Sequence, residues 1–227
     1  MRTALFSIIF TIISALSFPI GKDQPKKDNL ITEYLFNDTE LLFQQMNLDN
    51  LIDFKTFESA YSGYKKLNKN NNSLLTIIDF NLPSTKKRMY VLDLAKKEVL
   101  YVTHVAHGRN SGENFATSFS NRSGSYQSSL GFFRTAETYN GGNGYSLRLD
   151  GLEKGINDKA RPRAVVIHGA DYCSEDFIRS TGRLGRSFGC PALPQELNKP
   201  IINTIKDGSL LFIYADKPEY YSLSKVL

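Results

Sequence analysis

The hydrophobic positions of this chain follow two different periods. After Asp53, the residues Phe57, Ala60, Tyr61, Tyr64 and Leu67 recur at helical spacing. That predicts an amphipathic helix with Asp53 as its N-cap. Tyr34, Leu35, Leu41, Leu42 and Met46 predict one or two shorter helices within 32–46. After a polar cluster at 68–73 the rhythm becomes strand-like. Apolar runs at 74–80 and 88–94 flank a loop containing Pro83, and a turn at 94–98 leads into 99–106 as a hairpin. Residues 108–129 are rich in Ser, Gly and Asn and predict a long loop, a common place for function. Strands are expected at 132–139 and 145–149 around the tight turn 141–144, followed by a polar loop at 151–163. A buried strand at 164–167 ends at His168. Short helices are expected at 174–181, with Ser174 as cap, and at 198–206, stopped by Gly208. A last strand follows at 210–214. Strands and helices do not alternate, so the pattern predicts a mainly β domain rather than a parallel α/β sheet.

Candidate chemistry gathers in one stretch. His168 closes the apolar run Val165-Val166-Ile167, and Cys190 lies 22 positions later in the Gly- and Arg-rich run Gly182-Arg183-Leu184-Gly185-Arg186-Ser187-Phe188-Gly189-Cys190-Pro191. A free thiol has a pKa of about 8.5 and is a poor nucleophile at neutral pH. An adjacent imidazole can take its proton and later protonate a leaving amine. The glycines allow close approach of a substrate backbone. Backbone N–H groups around Gly189 and Cys190, beside Ser187, are the candidate oxyanion donors. Arg183 and Arg186 supply positive charge that favours a thiolate or clamps a carboxylate. Each residue alone has a plainer reading: a buried small hydrophobe for Cys190, a structural strand-end residue for His168.

These residues resemble the murein branch of the L,D-transpeptidase catalytic domain family. The resemblance rests on Ile167-His168-Gly169-Ala170-Asp171-Tyr172, on the run from Gly182 to Ala192, and on Val105-Ala106-His107-Gly108-Arg109-Asn110-Ser111-Gly112. It also includes Ser128-Ser129-Leu130-Gly131 and Tyr145-Ser146-Leu147-Arg148-Leu149-Asp150-Gly151, so that it covers about residues 30–216. It implies a mainly β, sandwich- or barrel-like catalytic domain with short helices and a small N-terminal helical segment. It further implies Cys190 as nucleophile, His168 as base, and the carbonyl of Gly169 orienting the imidazole. The implied reaction joins peptidoglycan stem peptides by 3→3 cross-links through a cysteine thioester. Superfamily members commonly read Ser-His-Gly-Cys with Arg two positions after the Cys. Here Phe188 and Ala192 stand at those places, so Arg186 is the expected replacement cation. His107 is expected to line the cleft or to serve as a hydrogen-bonded structural residue.

The N-terminus places this chemistry. Arg2, an apolar run over 5–16, and the small-x-small end Ala15-Leu16-Ser17 predict a signal peptide at 1–17 and export to the periplasm or cell envelope. The run is short for a membrane span, which needs about 20 residues, so no stable membrane insertion is expected after cleavage. The expected organisation is then a linker and helical prelude at 18–72, a catalytic domain at 73–216 and a C-terminal tail at 217–227. The chain has 227 residues and a net charge of +5, falling to +4 once Arg2 is removed. That balance suits an acidic partner such as peptidoglycan stems. The lysines are scattered, without a basic stripe interleaved with aromatics, so nucleic acid is not expected. His104, His107, His168 and the two cysteines lack paired ligand spacing, so no metal or cofactor is expected. Export leaves open a Cys173–Cys190 disulfide, and with it a catalytically silent wall-binding module. Hydrolysis of the same thioester would instead make an L,D-carboxypeptidase.

Overall fold

The computed structural model describes residues 38–227. The expected signal segment at 1–17 and the polar stretch at 22–29 lie outside the described residues. Two helices lead in, α1 (Asp38–Gln45) and α2 (Phe54–Leu67). The Asp53 carboxylate accepts the Thr56 N–H at 3.1 Å and caps α2 as expected. The aromatic stripe of α2 is packing: Phe57 is fully buried and its ring stacks on Tyr61 at 5.7 Å. Phe43 of α1 meets both Phe54 and Phe57.

Eight strands follow: β1 (Leu74–Asp79), β2 (Met89–Asp93), β3 (Glu98–Thr103), β4 (Gly131–Gly141), β5 (Gly144–Gly151), β6 (Val166–Gly169), β7 (Ala192–Leu193) and β8 (Leu210–Tyr214). Between β6 and β7 lie a 3-10 turn at Asp171–Cys173 and α3 (Glu175–Thr181). Helices α4 (Gln195–Ile205) and α5 (Pro218–Leu223) complete the chain. The strands form one sheet in the order β3-β2-β1-β8-β4-β5-β6-β7. Ala106, just beyond β3, bridges Ala192 of β7, with Ala106 N–H donating to the Ala192 carbonyl at 2.9 Å. The two ends of the sheet therefore meet, and a mainly β, nearly closed barrel results. Closure removes the open edge that would otherwise invite pairing with another chain.

The pairing departs from the sequence expectation in one respect. β1–β8 and β6–β7 are parallel, and the other pairings are antiparallel. Both parallel pairs join strands separated by a helix-bearing connection, which hydrophobic period alone does not reveal. Several boundaries also move, two of them for a visible reason. β6 begins at Val166 because Ala164 has φ +54°, outside extended geometry. α4 begins at Gln195 rather than 198, because Pro194 at its N-cap sets φ −54° directly before the first turn.

The main core runs from the helices through the barrel. Phe132 and Phe212 stack at 4.2 Å in its middle. The carboxylate of Glu153, itself buried, accepts from the Phe132 N–H at 2.8 Å and from the Tyr220 hydroxyl at 2.9 Å. This joins α5 to the start of β4. Among the described residues no helix is long and apolar enough to cross a membrane.

Gly63 marks where α2 presses on the barrel. A Cβ there would run into the ring of Phe132, which Phe212 holds from behind. Replacing glycine by alanine inside a helix normally stabilises by about 1 kcal/mol. Overpacking a rigid core costs about 1–3 kcal/mol. Gly63→Ala should therefore lower the thermal midpoint, and a raised midpoint in a thermal melt would show that α2 sits more loosely than described.

Candidate active site

β6 lies between two partners. His168 pairs with Ser146 of β5 on one side and with Ala192 of β7 on the other. Side chains alternate along a strand, so Ile167 enters the core while Val166 and His168 share the opposite face. His168 is only 4% exposed. Its Nδ1 lies 2.9 Å from the Gly169 carbonyl oxygen. A carbonyl can only accept, so Nδ1 carries the proton and Nε2 is the basic nitrogen. Burial lowers the imidazole pKa below its usual value, and the Gly169 carbonyl partly opposes that. The ring is consequently neutral at pH 7 and able to accept a proton.

The loop leading into β7 is built to hold one conformation. Gly182 ends α3 with φ +78°. The Ser187 N–H donates to the His107 carbonyl at 3.0 Å, and the Arg109 N–H donates to the Ser187 carbonyl at 2.7 Å. Ser187 Oγ then donates to the Cys190 carbonyl at 2.6 Å and accepts the Gly189 N–H at 3.0 Å. Gly189 has φ +123° and packs on the Gln127 carbonyl, a place that a side chain would strain. Ser128 Oγ donates to the Gly189 carbonyl at 3.2 Å and accepts the Gly108 N–H at 3.0 Å. Cys190 is a half-buried free thiol whose Sγ lies 3.6 Å from the Ala164 carbonyl. Because Ala192 pairs with His168 in parallel register, Cys190 comes alongside the Val166 end of the same strand. The register thus places Cys190, just before β7, alongside Val166, two residues before His168 on β6.

Burial pushes the Cys190 thiol up, while the Val166 N–H and the guanidinium of Arg163 pull it down. Arg163 is the functional candidate that sequence reasoning missed. Its Nη2 lies 3.7 Å from where a side chain would begin at Gly189. It is fixed by Nη1 to the Ser120 carbonyl at 2.8 Å and to Ser129 Oγ at 2.6 Å, and by Nη2 to the Gln127 carbonyl at 2.8 Å. The only sequence signal was its position, immediately before the strand that carries His168.

The other candidate side chains are engaged elsewhere. Arg183 and Arg186 share Glu113, at 3.0 and 2.7 Å, and Arg186 also donates to the carbonyls of Arg109 and Gly112. They clamp the 109–113 segment to the nucleophile loop. His107 is buried, and its Nδ1 accepts from Arg88 Nη2 at 2.8 Å. Its Nε2 therefore donates to the Gly112 carbonyl at 3.2 Å. His107 acts on the loop through its own carbonyl, which holds Ser187. Of the two expected oxyanion donors, the Gly189 N–H is taken by Ser187. Cys173 is a buried free thiol that donates to the Ala192 carbonyl at 3.2 Å, so the two cysteines are not bridged.

Residues 48–214 match a family model described as the L,D-transpeptidase catalytic domain. No curated protein matches the chain. An L,D-transpeptidase from Mycobacterium smegmatis is similar in structure at 14% identity and TM-score 0.39, covering 63% of this chain and 59% of that one. L,D-transpeptidase 3 from Mycobacterium tuberculosis matches at 10% identity and TM-score 0.39, over 63% and 61%. An Enterococcus faecium L,D-transpeptidase matches at 15% identity and TM-score 0.37, over 63% and 50%. The chain thus spans less than two thirds of the length of each.

Two buried groups behind the loop titrate in opposite senses. Burial and the charge of Arg88 lower His107 from 6.5 to about 4. As pH falls below 6.5 the unfolded chain binds that proton first, so His107 withdraws stability between pH 6.5 and 4. Burial raises Asp79 from 3.8 to about 6. Its proton binds the folded state first, so its contribution is present at low pH and is lost as pH rises through 6. The two oppose each other between pH 4 and 6. Asp79→Asn should unmask the acid-side loss, making stability fall by about 2 kcal/mol more than in the parent between pH 7 and 4.5. Urea midpoints across that range test it, and parallel profiles for the two proteins would refute it.

Proposed function

We propose that this chain, which belongs to the L,D-transpeptidase catalytic domain family, is a cysteine acyltransferase that cross-links peptidoglycan stem peptides in the cell envelope. The observation that supports this reading is the β6–β7 pairing: His168 is a carbonyl-oriented imidazole on β6, and the free thiol of Cys190 lies in the loop two residues before β7. His168 Nε2 takes the thiol proton, and the thiolate attacks the carbonyl of the third stem residue. The developing oxyanion turns to the Cys190 N–H, the remaining donor of the expected pair. The imidazolium returns its proton to the departing D-alanine amine, leaving a thioester. An amine from a second stem then resolves it into a 3→3 cross-link.

Arg163 supplies the charge that offsets burial at the thiol, in the place first assigned to Arg186. A guanidinium is always protonated and its planar fork bonds to several oxygens at once. Arg163 therefore holds the loop at 120–129 and biases the thiol with the same group.

Incubation with a purified disaccharide-tetrapeptide, followed by mass analysis, tests the function. A cross-linked dimer is expected. A tripeptide alone would make the protein a carboxypeptidase, and an unchanged substrate would refute acyl transfer. Cys190→Ala should abolish product while keeping the folded near-ultraviolet spectrum.

The two arginine assignments separate cleanly. Arg163→Met should raise the thiol pKa and slow acylation about tenfold or more. Arg186→Ala should leave the thiol pKa unchanged and lower only thermal stability, through loss of its contacts to Glu113 and to the carbonyls of Arg109 and Gly112. Thiol titration against iodoacetamide reads both. A pKa shift in the Arg186 variant, with none in the Arg163 variant, would reverse the assignment.

A further inference from the structure

Two aromatic rings stand in the open beside the loop that carries the thiol. Phe188, two positions before Cys190, is 68% exposed, and Tyr126 is 46% exposed. Their ring centroids lie 5.0 Å apart, with the planes inclined by 54°. The guanidinium of Arg109 lies over the Phe188 ring, 5.7 Å from its centroid. Among the described residues Arg109 enters no ion pair. A phenyl ring left in water forfeits the gain of burial, and an exposed aromatic pair marks a place where something binds.

The backbone beneath the rings is tied down. The Asn110 N–H donates to the Tyr126 carbonyl at 3.1 Å, and the Arg109 N–H donates to the Ser187 carbonyl at 2.7 Å. Asn110 Nδ2 donates to the Ser125 carbonyl at 2.9 Å, and Gln127 Nε2 donates to the Asn110 carbonyl at 3.0 Å. The platform therefore exists before a ligand arrives, and little ordering has to accompany binding.

Size, chemistry and distance choose the occupant. Two rings and a guanidinium make a patch far smaller than the roughly 800 Å² per partner of a stable protein interface. The negative face of an aromatic ring attracts the C–H face of a pyranose, and the Arg109 N–H groups suit its hydroxyls. Two extended residues span about 7 Å, so the Phe188 ring stands on the order of 10 Å from the sulfur. A stem whose third residue reacts at the sulfur spans about that length back to its sugar.

We infer that Phe188 and Tyr126 seat a pyranose ring of the glycan that bears the donor stem. The protein then selects stems still carried on sugar over free peptides. The inference rests on the acyl-transfer reading above. No bond is made or broken on the platform, which acts only on donor binding.

The test compares two donors that differ only in the sugar, the disaccharide-tetrapeptide and the free tetrapeptide. Intact-protein mass analysis follows thioester formation on Cys190 and gives a second-order acylation constant for each. The disaccharide compound should acylate the parent at least about tenfold more efficiently. Phe188→Ser should bring that ratio close to one, and Phe188→Tyr should keep it. In the Cys190→Ala protein, the disaccharide without its peptide should shift the backbone amide resonances of Arg109, Tyr126 and Phe188. A parent ratio near one would overturn the inference. A ratio unchanged in Phe188→Ser while the thermal midpoint falls would overturn it too, leaving the rings as a staple between two loops. A dimer in sedimentation that Phe188→Ser dissociates, with no shifts from the sugar, would give the patch to a second copy and overturn it as well. If neither donor forms an adduct, the acyl-transfer reading falls. The sugar titration then decides this inference alone, and an absence of shifts overturns it.

Discussion

A charged group sealed from water supports the wall on which the site is built. Arg88 is fully buried. An ion in that position costs several kcal/mol unless its donors are all met. Here Nε and Nη2 reach the Val105 carbonyl at 3.1 and 2.9 Å, Nη1 reaches the Leu82 carbonyl at 2.8 Å, and Nη2 also reaches His107. The Phe80 ring covers one face of the guanidinium. Even so, burial lowers its pKa to about 9, and the nearby Asp79 charge works to hold it up. Residues 105–107 are thereby fixed at three successive points. Val105 is held by Arg88, Ala106 closes the barrel on Ala192, and the His107 carbonyl holds Ser187. The geometry of the loop before β7 is thus set by a cation buried in the core.

The thiol and the imidazole are both shifted by burial, but in senses that suit a neutral resting pair. Burial disfavours the thiolate at Cys190 and the imidazolium at His168 alike. A proton moving from sulfur to nitrogen creates both charges together, in a poorly solvated place. Arg163 on the sulfur side and the Gly169 carbonyl on the nitrogen side each stabilise one product of that transfer. Burial therefore keeps both groups neutral at rest, while Arg163 and the Gly169 carbonyl reduce the cost of separating the charges.

Local signals carried most of the elements. Asp53 and Ser174 act as caps where their side chains suggested. The turn at 141–144 joins β4 and β5, and residue type and loop composition singled out His168 and Cys190 as candidates. What the sequence hid was pairing between distant segments. The parallel β1–β8 and β6–β7 contacts leave no local period. Glu113 gave no sign that it would capture two arginines from a loop more than sixty residues away. Arg163 looked like one charge among many in a polar loop, because its role comes from the Ser120–Ser129 segment folding across it.

The two departures from the commoner family pattern fit together once Ala192 is seen in place. Ala192 is fully buried, pairs with both His168 and Ala106, and packs in a small cluster with Ala170, Cys173 and Leu184. A long cationic side chain at 192 would have to displace that cluster and bury its charge behind the sheet. With position 192 committed to barrel closure, a cation for the thiol has to come from another direction. Arg163 approaches past Gly189, where the absence of a side chain leaves it room. Phe188 is 68% exposed and leans on Tyr126 with ring centroids 5.0 Å apart, so it turns outward rather than toward the sulfur. A histidine is therefore not replaced by another proton carrier at 188. In the acyl-transfer reading, His168 is left as the base, and the electrostatic part of the work moves to the loop before β6.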